Sequence, residues 1–109
     1  MNKKIGDIDF AKSGGLVPVI VQDINSREIL TLAYANKESL ELTKKTGNSW
    51  FWSRSRNKLW MKGEESGNIQ KVKEILIDCD SDALIYLVDP SGPACHTGEK
   101  VCFHNLLEK

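Results

Sequence analysis

The sequence predicts an α+β domain, with one principal helix and a mainly antiparallel β-sheet or pseudo-barrel of about seven strands. Two observations support this prediction. Apolar, β-branched and aromatic residues recur with a period of two along most of the chain, whereas only residues 36–46 combine helical spacing with capping residues at both ends. The chain has 109 residues, enough for one domain with a small core, so we expect a single domain over residues 1–109.

Two strands are predicted in the first third of the chain, after a polar arm formed by residues 1–15. Residues 16–22 and 28–34 are apolar and β-branched, and a turn-rich stretch separates them. We expect the arm to be loose or to form a short helical turn. Pro18 favours an edge position or an irregular start for the first strand, because proline cannot donate a hydrogen bond to a sheet.

The predicted helix covers residues 36–46. Asn36 is a favourable N-cap residue, because its side chain can accept a hydrogen bond from an unpaired N–H of the first turn. Leu40 and Thr43 fall at helical spacing, so they are expected to share the buried face. Gly47 follows the last turn and is well suited to end the helix.

After the helix the period returns to two, and four further strands are predicted. They cover residues 49–53, 59–62, 72–79 and 83–88. The first two are expected to form a hairpin across a basic turn, and the last is followed by a turn rich in proline and glycine. We expect the remaining tail, to about His104, to be short and irregular.

Charge and composition exclude several classes of function. The 15 basic and 15 acidic residues give a formal net charge of zero, so no global field recruits nucleic acid or an anionic membrane. No apolar run approaches the length of a transmembrane helix, which needs about 20 residues. The basic N-terminus has no apolar segment behind it, so a secretory signal is not predicted. We therefore expect a cytoplasmic protein in a reducing compartment.

The most informative stretch is Asp78-Cys79-Asp80-Ser81-Asp82. If it is extended, alternation places the three aspartates on one face and Cys79 on the other. Three like charges on one face repel each other, and a divalent cation such as Mg²⁺ removes that cost. A solvated turn in which Asp78 or Asp82 caps backbone N–H groups would explain one or two of these residues, but not all three.

The chain has three cysteines, Cys79, Cys95 and Cys102. No close Cys-x-x-Cys pair exists, so a zinc finger or ribbon is not expected. Any one of these thiols can be explained by simple burial, since free cysteine is among the most buried residue types. Together in a reducing compartment they favour a metal site, and three thiolates with one open position match catalytic zinc.

His96 directly follows Cys95 and has two alternative interpretations besides catalysis. It can be a surface histidine of a loop, or a zinc ligand in place of one cysteine. The functional interpretation is a proton-transfer group beside a zinc-bound water, because the pKa of histidine lies near neutrality. The sequence does not favour one of these over the others.

The segment from residue 52 to residue 64 mixes cations, hydroxyls and two indoles. Arginine and hydroxyl groups suit phosphate, and indoles offer a stacking face for a base. The alternatives are a polar hairpin tip whose tryptophans belong to the core, or a surface that binds single-stranded RNA. Ser66 and Gly67 can add backbone N–H groups to a phosphate site.

These pieces, in this order, resemble the phosphoribosyl-AMP cyclohydrolase family of histidine biosynthesis. The matching segments are residues 16–23, 32–36, 52–56, 59–64, 66–67, 78–82 and 95–98, together with Cys102. The sequence departs from the family pattern at Ala35, where we expect methionine, and at Ser81, where we expect glycine. We expect no second, pyrophosphohydrolase domain of the kind that is fused to this enzyme in some organisms.

The resemblance implies hydrolytic opening of the purine ring between N1 and C6 of 1-(5-phosphoribosyl)-AMP, in an intertwined homodimer. It implies Zn²⁺ bound by Cys95, Cys102 and the partner subunit's Cys79, and Mg²⁺ bound by Asp78, Asp80 and Asp82. The substrate-binding residues expected on this basis are Trp52, Ser53, Arg54, Ser55, Arg56, Lys62, Ser66 and Gly67. Zinc lowers the pKa of a bound water to about 7, and His96 is then placed to move a proton to the leaving ring nitrogen.

Three other functions compete with this interpretation. A non-enzymatic zinc module that binds RNA through the Trp/Arg hairpin is disfavoured by the zero net charge and by only three cysteines. A zinc-dependent deaminase needs a His-x-Glu and a Pro-Cys-x-x-Cys motif, and the sequence contains neither. A purely structural dimerisation domain leaves the three aspartates unexplained.

Overall fold

The computed structural model describes residues 2–109. Its strands are β1 Val17–Asp23, β2 Ile29–Ala35, β3 Trp50–Ser53, β4 Lys58–Met61, β5 Gln70–Ile77 and β6 Leu84–Pro90; its α-helix is α1 Lys37–Thr46, and two 3₁₀ turns cover Ile5–Asp7 and Ala11–Ser13. The predicted α+β class with one principal helix is confirmed. Within the described range there are six strands, one for each of the six segments predicted individually, against the overall figure of about seven.

The strands form a four-stranded sheet in the order β2-β1-β6-β5 and a separate two-stranded hairpin of β3 and β4. Pairing is antiparallel except between β1 and β6, which are parallel. The predicted pseudo-barrel is wrong, because the sheet does not close: β2 and β5 are its outer strands, and β5 is joined to the segment before β3 only by an isolated bridge between Asn48 and Lys71 and by neighbouring backbone hydrogen bonds. The hairpin packs beside β2 and α1 instead of closing that sheet.

The position of β1 corrects a second expectation. Pro18 favoured an edge strand, but β1 lies between β2 and β6 in the middle of the sheet. Pairing with β6 begins only at Val19, which faces Leu84. Pro18 therefore precedes the β1–β6 ladder, and the irregular start that proline also predicts is what allows it in a central strand.

Helix α1 begins and ends where the sequence predicts. The Asn36 side-chain oxygen accepts a hydrogen bond from the Ser39 N–H at 2.8 Å, and the Ser39 hydroxyl accepts one from the Asn36 N–H at 2.9 Å. Gly47 ends the helix with a φ of +78°, which glycine adopts without steric cost. The Thr43 hydroxyl accepts a hydrogen bond from the Trp50 N–H at 2.9 Å, which joins the helix to the hairpin.

The core lies between one face of the sheet, the helix and the hairpin. Its largest fully buried side chains include Tyr86, Phe51, Leu30 and Leu40. The Phe51 ring lies 5.7 Å from the Tyr86 ring and 5.1 Å from the Trp60 ring, between centroids. Aromatic contact of this kind stabilises the hairpin against β6, and it sets the position of the basic turn that the hairpin carries.

The opposite face of the sheet carries an apolar row across all four strands. Leu32, Ile20, Ile85 and Leu76 lie in register on β2, β1, β6 and β5. Leu32 is 45% exposed and Leu76 is 43% exposed, so the ends of this row are open to solvent. Phe103 lines an apolar cavity of about 280 Å³ over part of the same face. Among the described residues, no helix has the length and apolar character needed to span a membrane.

Candidate active site and metal-binding groups

The segment Asp78–Asp82 forms the turn between β5 and β6, whereas the sequence predicted an extended strand as far as Cys79. Ser81 has a φ of +62° in this turn, a conformation that glycine adopts more easily than serine does. The Asp78 Oδ1 atom accepts hydrogen bonds from the N–H groups of Asp82 at 2.9 Å and Ala83 at 3.1 Å. The capping role that the sequence left as an alternative is thus confirmed for Asp78.

The turn nevertheless brings the three carboxylates together. One oxygen each of Asp78, Asp80 and Asp82 lies within 4.8 Å of the others. A side chain of the N-terminal arm approaches them, with Lys12 Nζ 2.6 Å from an Asp82 oxygen and 3.2 Å from an Asp80 oxygen. These two carboxylates hold the pKa of Lys12 above its usual range, the hydrogen bond to Asp82 contributing most.

The carboxylate group fits a divalent cation. Its three oxygens lie within 4.8 Å of one another, two of the carboxylates already hold a positive charge, the ammonium of Lys12, and hard oxygen ligands are those that Mg²⁺ prefers. Closure of the turn, and not alternation along a strand, is what brings the oxygens to one side.

The structure brings two of the three free thiols next to each other. Cys95 is buried and Cys102 is half-buried. A side-chain hydrogen bond between the two thiols shifts the pKa of each. Cys79 is exposed in the β5–β6 turn. Within residues 2–109, the aspartates are the one group of three or more His, Cys, Asp or Glu side chains whose ligand atoms lie within 4.8 Å of one another. The three thiols therefore do not converge within this chain.

The two neighbouring thiols differ in acidity. The Thr97 hydroxyl donates a hydrogen bond to Cys95 Sγ at 3.1 Å, and this contact does most to lower the pKa of Cys95 to about 6. His104 Nε2, 3.9 Å from the same sulfur, lowers it further. Burial raises the pKa of Cys102. The lowered pKa favours the thiolate form of Cys95, which is the form that binds zinc.

The loop that carries both thiols is fastened to the β1–β2 hairpin. The Cys102 N–H donates a hydrogen bond to the Leu30 carbonyl at 2.7 Å. The Lys100 ammonium forms ion pairs with Glu28 and with Asp23, 3.4 Å from an oxygen of the latter. Asp23 is 5% exposed, so this anchor reaches into the protein. Residues far apart in sequence thus fix the separation of the two thiols.

His96 lies on the exposed side of this loop, next to the buried Cys95. Its ring makes no hydrogen bond with any residue in the range 2–109. The geometry is compatible with the surface interpretation and with proton transfer, so its catalytic role stays a prediction.

Two adjoining clefts are lined by all of the predicted substrate-binding residues except Gly67. The larger has a volume of about 500 Å³ and is lined by Leu32, Ala33, Tyr34, Trp52, Ser53, Arg54, Ser55 and Trp60. The Arg54 guanidinium carbon lies 3.9 Å from the centre of the Tyr34 ring, a stacked cation–π contact that orients the guanidinium. The smaller, about 170 Å³, is lined by Arg56, Trp60, Met61, Lys62, Gly63, Glu64, Glu65 and Ser66. Trp60 contributes to both clefts.

Sequence reasoning missed several neighbours of these sites. Tyr34 lies in a segment that matched the family, but its contact with Arg54 depends on how the hairpin packs on β2. Lys12 carried no signal, because a lysine in a polar arm has no periodicity or motif. Gly67 was predicted to bind substrate; here it closes the loop by donating its N–H to the Gly63 carbonyl at 2.9 Å.

Comparison with known proteins places this architecture in a family. A family model described as phosphoribosyl-AMP cyclohydrolase matches residues 31–104. The phosphoribosyl-AMP cyclohydrolase of Nitrosopumilus maritimus is 79% identical over 108 residues, covering 99% of this chain and 100% of that protein. That of Cenarchaeum symbiosum is 76% identical over 107 residues, covering 98% and 99%. A histidine biosynthesis bifunctional protein of Thermus thermophilus is 62% identical over 93 residues, or 85% of this chain and 44% of that protein. The chain thus belongs to the phosphoribosyl-AMP cyclohydrolase family, hydrolases of histidine biosynthesis.

Proposed function

We propose that the chain opens the purine ring of 1-(5-phosphoribosyl)-AMP in a reaction that depends on zinc and magnesium. Water adds to C6, the N1–C6 bond breaks, and N1 gains a proton, which gives the phosphoribosyl-formimino carboxamide aminoimidazole ribonucleotide of L-histidine biosynthesis. The observation that carries this proposal is the pair formed by Cys95 and Cys102, one of them with a pKa of about 6. We place this reaction in the cytoplasm.

Zinc is assigned to Cys95 and Cys102 of one subunit and to the partner subunit's Cys79. Two observations support this division: Cys95 and Cys102 are neighbours within one chain, and Cys79 is exposed on the β5–β6 turn, where a second chain can reach it. Three thiolates would hold the zinc, which when bound would supply a water of lowered pKa. Thr97 contributes by keeping Cys95 deprotonated.

Magnesium is assigned to Asp78, Asp80 and Asp82. Asp78 has one oxygen committed to the backbone of the turn, so its other oxygen is the one available to the ion. Mg²⁺ held by these carboxylates would supply positive charge for a substrate phosphate.

The substrate is assigned to the two clefts of the hairpin. The indoles of Trp52 and Trp60 offer apolar faces for the base, and Arg54 is held in a fixed orientation by Tyr34. Arg56 and Lys62 in the smaller cleft suit a phosphate. Arg54, Arg56 and Lys62 would together meet one substrate phosphate, and Mg²⁺ on the aspartates would meet the other.

His96 is assigned the transfer of a proton to N1 of the ring as the N1–C6 bond breaks. It is exposed beside Cys95, so a bound substrate can reach it, and its ordinary pKa allows it both to accept and to release a proton near neutrality.

A homodimer follows from the same assignments, because each zinc would need thiols from two chains. The apolar row on the outer face of the sheet supports a second copy as its partner, since side chains such as Leu32 and Leu76 are more than two-fifths exposed. An open row of this kind across four strands is typical of a surface that another chain covers.

The test of this proposal is the change in ultraviolet absorbance when 1-(5-phosphoribosyl)-AMP is added to the purified protein with Zn²⁺ and Mg²⁺. We expect ring opening that a zinc chelator abolishes and that added Zn²⁺ restores. Cys95→Ser is expected to lose both zinc and turnover while the sheet stays folded, as judged by circular dichroism. Full zinc stoichiometry and turnover in this variant would refute the three-thiolate site. Absence of ring opening in zinc-loaded protein supplied with Mg²⁺ would refute the function.

The division of ligands between chains has its own test. Cys79→Ala and Cys95→Ala chains are each expected to be inactive as homodimers. When they are mixed and allowed to exchange, heterodimers regain one intact site, made of two thiols from one chain and the third from the other. No recovery in mixtures whose subunits exchange normally would place every zinc ligand within one chain.

A further inference from the structure

The N-terminal arm lies directly over the aspartates of the β5–β6 turn. The Asp9 N–H donates a hydrogen bond to the Ser81 carbonyl at 2.8 Å, and the side chain of Ile8, which belongs to the arm, is buried in the hydrophobic core. The Lys12 N–H donates to an Asp9 carboxylate oxygen at 3.1 Å. Lys3 approaches from the same arm and donates to the Ser81 hydroxyl at 2.7 Å. The arm therefore has several fixed points on this turn.

The Lys12 ammonium occupies the place where a cation is needed. It lies 2.6 Å from Asp82 Oδ2 and 3.2 Å from Asp80 Oδ2, and these contacts satisfy one oxygen of each carboxylate. A divalent ion bound to the same oxygens takes over that position. It would also repel an ammonium left beside it, because two positive charges a few ångströms apart interact unfavourably.

We propose that Lys12 is a tethered cation that holds the carboxylates of Asp80 and Asp82 together in the metal-free protein and leaves when a divalent ion binds. This inference rests on the magnesium site proposed above. The arm then acts as a built-in competitor: it lowers the affinity for the ion, and ion binding releases the segment around Lys12 from the turn. Part of the binding free energy is spent on displacing the ammonium.

The first test is the affinity for Mn²⁺, used in place of Mg²⁺ because free Mn²⁺ is counted directly by electron paramagnetic resonance. The zinc-loaded protein is used, so that the thiols are already occupied. Lys12→Gln removes the competing charge and is expected to bind Mn²⁺ about two- to fivefold more tightly, the size of effect that exposed ion pairs produce. Lys12→Arg keeps a cation and is expected to behave like the unmodified protein.

Lys4→Gln is the matched control. It removes the same charge from the same arm, and the Lys4 ammonium makes no ion pair with any residue between 2 and 109. We expect its Mn²⁺ affinity to match that of the unmodified protein. An equal gain in Mn²⁺ affinity in Lys12→Gln and Lys4→Gln would show that the gain comes from the change in net charge, and it would overturn the inference.

The second test is the rate at which trypsin cleaves after Lys12 in the unmodified protein, followed by mass spectrometry of the fragment that begins at Ser13. Release of the arm predicts faster cleavage at this bond when Mg²⁺ is added. A rate that is unchanged or lower with Mg²⁺ would overturn the inference, as would equal or weaker Mn²⁺ binding by Lys12→Gln.

Failure of the magnesium site itself gives a different result. Asp80→Asn, introduced into the Lys12→Gln protein, is expected to weaken Mn²⁺ binding strongly. Two results would show that the proposed site is wrong, and the inference would fail with it. One is an Mn²⁺ affinity of the double variant equal to that of Lys12→Gln; the other is no Mn²⁺ binding by either Lys12→Gln or the unmodified protein.

Discussion

Replacement of Gly63 by alanine probes the loop that supports the smaller cleft. Gly63 has a φ of +87°, and a Cβ atom placed on it would lie 2.5 Å from both the carbonyl carbon of Asn68 and the backbone nitrogen of Ile69. The left-handed conformation costs an alanine about 1–2 kcal/mol. The close contact is with backbone atoms, which cannot rotate away, so overpacking adds about 1–3 kcal/mol. We expect Gly63→Ala to lower the free energy of unfolding by about 2–5 kcal/mol.

Gly67 separates these two contributions. Its φ is +80°, nearly that of Gly63, but a Cβ atom there would meet nothing within 4 Å. Gly67→Ala should therefore show only the conformational cost, about 1–2 kcal/mol. Urea unfolding of the two variants, followed by tryptophan fluorescence, measures the difference between them. Equal losses of stability in the two variants would refute the argument from the Asn68 contact.

The same substitution has a functional consequence. Gly63 directly follows Lys62 and begins the loop that carries Ser66, and all three line the smaller cleft. A backbone shift at Gly63 moves these groups relative to one another. If the cleft binds a substrate phosphate, Gly63→Ala should raise KM at temperatures where the variant is still folded. An unchanged KM would show that substrate does not depend on this cleft.

Three further predictions concern the thiols, the larger cleft and the outer face of the sheet. Thr97→Val removes the main cause of the low pKa of Cys95, so in metal-free protein the pH midpoint for alkylation of Cys95 should move upward from about 6, and the rate at pH 7 should fall. An unchanged midpoint would show that Thr97 does not control this thiol. Tyr34→Leu should raise KM severalfold by freeing Arg54, whereas Tyr34→Phe, which keeps the stacked ring, should not; equal KM values would contradict this. Leu76→Arg should give monomers in analytical ultracentrifugation if the outer face is the dimer interface, and an intact dimer would exclude that face.

Elements that depend on neighbouring residues could be predicted from the sequence. Helix α1 was predicted correctly because Asn36 and Gly47 mark its ends and because both caps act within four residues of the positions they satisfy. The β3–β4 hairpin was also predicted, since the period of two on both sides of a short polar turn is a local signal. The residue types of the site were recognised in the same way: thiols, carboxylates and a basic, aromatic hairpin all stand in short motifs.

The Asp78–Asp82 segment shows where local reasoning fails. Alternation predicted an extended strand, but a strand must pair to be stable, and here β5 ends at Ile77 so that the chain can reverse into β6. The aspartates do converge, as predicted, but through the turn. Ser81 accepts a φ of +62° there, a strain that only the surrounding sheet can impose.

The helix, the hairpin and the family could be recognised without a structure, because caps, periodicity and short motifs are properties of neighbouring residues. Tertiary structure alone decided which groups meet. The Lys12 ammonium contacts the carboxylate of Asp82, which lies 70 positions further along the chain. The Cys102 N–H donates a hydrogen bond to the Leu30 carbonyl because the last loop folds back on β2. The tertiary structure also keeps Cys79 apart from the other two thiols of its own chain. Contacts between residues so far apart depend on the order in which strands pair, and the free energy of that pairing comes from burial over the whole core and not from any segment read alone.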